Sequence, residues 1–170
     1  MDDIRIDVSK IPFDVGAGPR GPRPRTSEYF LTMSTNVRFD APPSEIQSYA
    51  DRLVDGITAV FGSNESIKQF VRFPPTKAGV IGRWEPTFID SAKVTAHAEV
   101  GLNARHGRRL HAHVLFKVVH RCRTRLDLAE LKRLVNVSLD KIGFPWPVRY
   151  LHCRVINNAA ADYMLKHNYP

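Results

Sequence analysis

An α+β domain built on an antiparallel sheet is what this sequence predicts, and three observations carry the prediction. Residues 94–119 alternate apolar and polar on both sides of a Gly-containing polar turn, the mark of a β-hairpin with one covered face. Apolar residues recur every three to four positions from Ile46 to Phe61, which makes an amphipathic helix. The same helical period returns between Leu131 and Leu139 and is followed by another alternating stretch, 148–156. The chain has 170 residues, is 43% hydrophobic and 25% charged, and so can bury a core without disulfide staples.

Taken in order, residues 1–26 carry no sustained periodicity. Val15-Gly16-Ala17-Gly18-Pro19-Arg20-Gly21-Pro22-Arg23-Pro24-Arg25 reads as a flexible, basic, Gly/Pro-rich arm, which leaves 27–170 as the folded domain. The first strand follows over residues 29–38. It turns Leu31, Met33 and Val37 to one side and Thr32, Ser34, Asn36 and Arg38 to the other. Pro42 and Pro43 break it and open the first helix, with Ser44 as the expected cap. Residues 66–73 suit a short helix or a strand, and 84–88 suit a further strand.

In the hairpin, Val94, Ala96, Ala98, Val100 and Leu102 share one parity, as do Leu110, Ala112, Val114, Phe116 and Val118. The turn is residues 103–109. If it folds near position 105, Glu99 lies across from His111 and His97 across from His113. Asp127-Leu128-Ala129-Glu130 then resembles a capping box opening the second long helix, which Gly143 stops, with Pro145 and Pro147 just beyond. The last strand turns Leu151, Cys153 and Val155 inward and Tyr150, His152 and Arg154 outward. Asn157-Asn158 caps a terminal helix over 159–167. The order is β-α-β-β-α-β plus one helix, the ferredoxin-like or RRM-like pattern with both long helices on one sheet face.

No apolar run approaches the roughly 20 residues of a membrane span, and no signal-peptide pattern follows Met1. Cys122 and Cys153 are too few for a disulfide framework and read as reduced thiols, which favours an intracellular setting. Of the net charge of +8, +7 falls between Asn103 and Arg133, where nine Lys or Arg stand against Asp127 and Glu130. Such an excess is the footprint expected of phosphate-backbone binding.

The uncovered sheet face brings the chemistry together. Two imidazoles, His111 and His113, two residues apart and faced by the Glu99 carboxylate, make a divalent-metal site, with His97 as the alternative third ligand. Thr32, Asn36, Arg38 and Arg154 share that face, and Arg105, Arg108 and Arg109 lie at the hairpin turn. All seven are candidates for contact with nucleic acid. On the terminal helix, Tyr163 and Lys166 stand three residues apart and therefore on one helical face. A phenol so placed over a metal-bearing face can attack a phosphodiester, with Lys166 offsetting the charge.

Leu110-His111-Ala112-His113-Val114-Leu115 resembles the His-hydrophobic-His motif, and Tyr163-Met164-Leu165-Lys166 the Tyr-x-x-Lys motif, of the HUH endonucleases. That group includes the rolling-circle replication initiators (Rep proteins) and related transposases. Phe30-Leu31-Thr32-Met33-Ser34-Thr35-Asn36 is similar to the first Rep motif, which opens with Phe-Leu-Thr or Phe-Thr-Leu. The motifs occur in the family order and span roughly 29–169.

The resemblance implies Mn²⁺ or Mg²⁺ at His111 and His113. It also implies nicking and joining of single-stranded DNA at an origin or element-end sequence through a 5′-phosphotyrosine on Tyr163, assisted by Lys166. A single tyrosine points to the single-tyrosine branch. A helicase or polymerase would act as partner, in a host nucleus or a bacterial cytoplasm. No Gly-x-x-x-x-Gly-Lys-Ser/Thr run occurs, so no helicase motif accompanies the nuclease pattern.

The alternative is a non-catalytic nucleic-acid-binding module of RRM-like or Rep-derived type. An RNA-recognition module would carry a pair of Phe or Tyr on its central strands, where this face carries Thr, Asn, Glu and His. A histidine-triad hydrolase would want a third alternating His at position 115, which is Leu.

Overall fold

A computed structural model describes residues 4–6, 24–38, 42–72, 89–100, 109–121 and 124–155. In chain order the elements are β1 (Ile4–Ile6), β2 (Arg25–Arg38), α1 (Pro43–Phe61), α2 (Asn64–Phe70), β3 (Val71–Arg72), β4 (Ile89–Val100), β5 (Arg109–His120), β6 (Arg125–Leu126), α3 (Leu128–Lys141) and β7 (Tyr150–Val155). The main sheet runs β1-β4-β5-β2-β7 with every neighbouring pair antiparallel, and β3 and β6 form a separate two-stranded ribbon. The result is an α+β architecture.

Alternation decides which face is covered. In β5, Leu110, Ala112, Val114, Phe116 and Val118 are fully buried, and in β4 Ala92, Val94, Ala96 and Ala98 are buried with them. These side chains meet α1, which packs on β4 and β5, while α3 packs on α1 and on β7. The run of alanines in β4 lowers the sheet surface where α1 rests most fully. Phe61, Phe70 and Phe116 fill the centre as an aromatic cluster with centroids 4.9–5.8 Å apart. At the crossing of α1 and α3 a Cβ on Gly56 would collide with Leu139, so the helices approach as closely as they do because residue 56 has no side chain.

The helix ends follow local chemistry. The Asp127 carboxylate accepts from the Glu130 amide at 3.1 Å and caps α3, as the capping-box pattern predicts. Gly143 ends that helix at φ 67°, a conformation that side chains disfavour. The Asn136 amide then clamps Val148 in both directions, at 3.1 and 2.7 Å, and aims the chain into β7. At α1 the structure corrects the expected cap: Ser44 lies inside the first turn, Pro42 occupies the cap position, and no side chain caps the helix. Proline supplies the starting φ at Pro43, so the helix opens without a hydroxyl cap.

Other boundaries also differ from expectation. β2 begins at Arg25 and β4 at Ile89, because backbone pairing with β5 continues through polar residues, in β4 past a register shift between Ile89 and Ser91. Ile4–Ile6 pairs with Val94 to Ala92 as an edge strand inside the segment read as an arm. Three residues are too few to show a period. The stretch read as a helix or a strand holds both, α2 and then β3, and Ser63 caps α2 by accepting from the Ser66 amide at 3.3 Å. The expected strand at 84–88, the remainder of the hairpin turn before Arg109 and the terminal helix at 159–167 lie outside the described residues. No helix among the described residues is long and apolar enough to cross a membrane.

Candidate metal centre

The pairing of β4 with β5 has the register that the alternation requires: Glu99 is the cross-strand partner of His111, and His97 of His113. On the other side of β5, Ser34 and Thr32 of β2 stand opposite His111 and His113. β7 completes the rows, with Tyr150 opposite Ser34 and His152 opposite Thr32. The face turned away from the described helices is thus a grid in which one row reads Glu99, His111, Ser34, Tyr150 and the next His97, His113, Thr32, His152. Directly opposed side chains on one sheet face lie within reach of one another.

Within the grid the donors converge. Glu99 Oε1 is 3.3 Å from His111 Nε2 and 3.6 Å from His113 Nε2. The three ligand atoms lie within 4.8 Å of one another, and the group could hold a metal ion. Two donors about 2.1 Å from one ion are separated by about 3.0 Å at a right angle and about 3.4 Å in a tetrahedron, so the two separations from Glu99 are close to those of a shared ion. His97 stands on the other carboxylate oxygen, 3.8 Å from Oε2, which makes Glu99 the better third ligand and His97 its neighbour.

The far side of each ring is held by a neighbour. His111 Nδ1 donates to the Arg109 carbonyl at 3.0 Å, and since a carbonyl only accepts, the proton belongs on Nδ1. Nε2 is the nitrogen that faces Glu99, and an ion between them would find a donor atom there. Thr32 Oγ1 lies 3.3 Å from His113 Nδ1 and anchors that side of the second ring. A metal-binding imidazole ordinarily has such a partner on its second nitrogen. Phe30 stacks on His113 with centroids 5.4 Å apart and planes inclined by 15°, which fixes the ring plane. The donor set is therefore chemically suited to a divalent ion: two oriented imidazoles and a carboxylate, all half-buried or buried.

The other expected site residues divide three ways. Thr32 belongs to the centre as the group behind His113. Arg109 is half-buried with its Nε shielded, and it serves the centre through its carbonyl. Arg154 is exposed on the open face and its Nε donates to His152 Nε2 at 3.3 Å. Asn36 and Arg38 belong to β2, beyond Ser34, where the register with β5 shifts, and their side chains lie outside what is described. Arg105, Arg108, Tyr163 and Lys166 lie outside the described residues altogether.

Two participants were not read from the sequence. Phe30 shares the parity of Thr32, which was signal enough to place it on the open face; it also puts one aromatic ring on a central strand, where none was expected. The Arg109 carbonyl is a backbone group and leaves no trace in residue identity.

A cavity of about 1030 Å³ lies elsewhere, toward the start of β2 and the end of β5, lined by Ser27, Tyr29, His120, Thr124 and Cys153 among others. It does not include the histidines of the centre. Comparison with protein-family models, with curated proteins and with solved structures finds no match.

Proposed function

We propose that this chain is a metal-dependent nuclease of the HUH type that nicks and rejoins single-stranded DNA, with Tyr163 as nucleophile. The observation that carries the reading is the convergence of Glu99, His111 and His113 on the uncovered sheet face. We read the strand order β4-β5-β2-β7, with its two long helices, as ferredoxin-like, and the terminal segment bearing Tyr163 and Lys166 as the helix that serves this face.

Glu99, His111 and His113 would hold Mn²⁺ or Mg²⁺. Bound there, the ion would act as a Lewis acid toward a non-bridging phosphate oxygen. The chain's own groups do the rest. The Arg109 carbonyl and Thr32 Oγ1 hold the Nδ1 sides of the two imidazoles, so both rings turn Nε2 toward Glu99. The Tyr163 oxygen attacks phosphorus and the P–O3′ bond breaks, while the phenol proton passes to solvent and the departing oxygen takes one from solvent to become a 3′-OH. Lys166 favours the phenolate by its charge. The 5′-phosphotyrosine retains the bond energy, so attack by a 3′-OH reverses the step and joins strands.

The test is incubation with a labelled pool of single-stranded DNA and Mn²⁺ followed by a denaturing gel. A shifted protein band that EDTA prevents is the expected covalent adduct. Tyr163→Phe should abolish it while leaving DNA binding intact, and an adduct that survives this change overturns the assignment. Salt-sensitive binding without any adduct would favour the non-catalytic nucleic-acid-binding module instead.

A further inference from the structure

We propose that single-stranded DNA reaches the metal centre across β7, with the Tyr150 ring stacking a nucleobase beside the histidines and Arg154 holding a backbone phosphate farther along the strand. The proposal rests on the nuclease reading and gives its open face a direction. Three observations carry it.

First, Tyr150 is 62% exposed, the most exposed of the large apolar side chains among the described residues, against 41% for Val137 and 43% for Ile142. Its strand alternation turns it away from the helices, onto the same face as the donors, while Leu151 and Cys153 turn toward the core. An aromatic ring left in water on a sheet face offers a flat apolar surface that any base can cover.

Second, Tyr150 lies in the row of the metal centre. Ser34 is the partner of Tyr150 on one side and of His111 on the other, so the two backbones are two strand spacings apart, about 10 Å. A phosphate at the histidines would leave a neighbouring base within reach of that ring. Ser34, a small residue, separates them.

Third, the face of β7 continues with His152 and then Arg154, both exposed. Arg154 Nε donates to His152 Nε2 at 3.3 Å, which orients the guanidinium along the strand. Tyr150 and Arg154 are about 13 Å apart along the strand. An aromatic ring followed by an oriented cation on one strand face is the combination that binds single strands, with the ring taking a base and the cation the backbone.

Fluorescence anisotropy with the labelled single-stranded pool in Mn²⁺ tests this on the 170-residue chain. Tyr150→Ala should weaken binding by about 5- to 150-fold, the range for loss of one base–aromatic stack, and Tyr150→Phe should stay within about twofold of wild type because the ring remains. Arg154→Ala should reduce the slope of log affinity against log salt by about 0.7, one phosphate contact for a single strand. Mn²⁺ affinity by titration calorimetry should match wild type in all three, which separates the track from damage to the centre. Unchanged DNA affinity in Tyr150→Ala overturns the proposal. So does an equal loss in Tyr150→Phe and Tyr150→Ala, which would assign the effect to the hydroxyl. Failure of the wild-type chain to bind any single strand while it still binds Mn²⁺ overturns the nuclease reading itself, and the track with it.

Discussion

Within one strand, β5, three histidines meet two different fates. His111 and His113 face away from the helices, stand 3.3 and 3.6 Å from one carboxylate oxygen, and have their second nitrogens held from behind. His120 sits on the opposite parity, is 3% exposed, and has Nε2 2.7 Å from the Ser27 hydroxyl. The side chain is the same in all three. Its face of the sheet decides its surroundings: on the covered face the His120 ring meets the Ser27 hydroxyl, while on the open face two imidazoles are brought onto the Glu99 carboxylate. Proximity to the Glu99 carboxylate, rather than exposure, sets the two candidate ligands apart, because His113 is itself only 9% exposed.

The sharpest way to break this contrast is to cut each face in turn. Phe116→Ala removes a fully buried ring that touches the Tyr29, Phe61 and Phe70 rings. It should cost about 3–5 kcal/mol of stability in urea unfolding. His111→Ala on the other face should cost only about 1 kcal/mol, the net value of one hydrogen bond. It should also lower Mn²⁺ affinity by at least about 100-fold in titration calorimetry, more than an outer partner's loss would. Comparable stability losses in the two variants would mean that both faces are structural. Unchanged Mn²⁺ affinity in His111→Ala would remove that histidine from the centre.

That contrast was largely legible in the sequence. Alternation in 94–119 assigns each residue a face, and a turn centred near 105 sets Glu99 opposite His111 and His97 opposite His113, the register that is found. Parity is robust because one misplaced residue would bury the whole polar set. The choice between Glu99 and His97 was harder, since both oppose a histidine. It is decided by side-chain reach, as Glu99 Oε1 touches both rings while His97 meets only Oε2. The Arg109 carbonyl was not legible at all, being main chain. Nor was the edge strand Ile4–Ile6, whose three residues pair through backbone groups that carry no sequence signature. Phe30 was legible by parity, since it shares the face of Thr32, although only its place in the Phe-Leu-Thr motif was read.

A finer test of the comparison leaves both ligands in place and removes the group behind one of them. Thr32→Val keeps the shape of the side chain and deletes the Oγ1 that lies 3.3 Å from His113 Nδ1. Loss of such an outer partner typically lowers metal affinity about 10- to 100-fold, so Mn²⁺ binding should weaken within that range while the urea midpoint barely moves. Unaltered Mn²⁺ affinity would show that Phe30 alone orients the ring and that the hydroxyl is incidental.

The smallest effect lies on β7, where the two faces are least distinct because the strand is at the edge. Cys153 has the core parity, opposite Leu31, yet is only half-buried. That partial burial is still enough to push its thiol above the ordinary range, since a thiolate is penalised wherever water is excluded. The neutral thiol therefore favours the folded chain. Its contribution is whole below the unfolded thiol pKa, about 8.5, and is lost as pH rises through the folded value. In a Cys122→Ser background, iodoacetamide should modify Cys153 more slowly at neutral pH than it modifies a free thiol in solution. The rate should rise with a midpoint displaced upward from about 8.5, and full unfolding in urea should return the midpoint to that value. A native midpoint at or below 8.5 would mean that water reaches the inner face of β7 as freely as the outer, and the division of the sheet into two faces would end at β2.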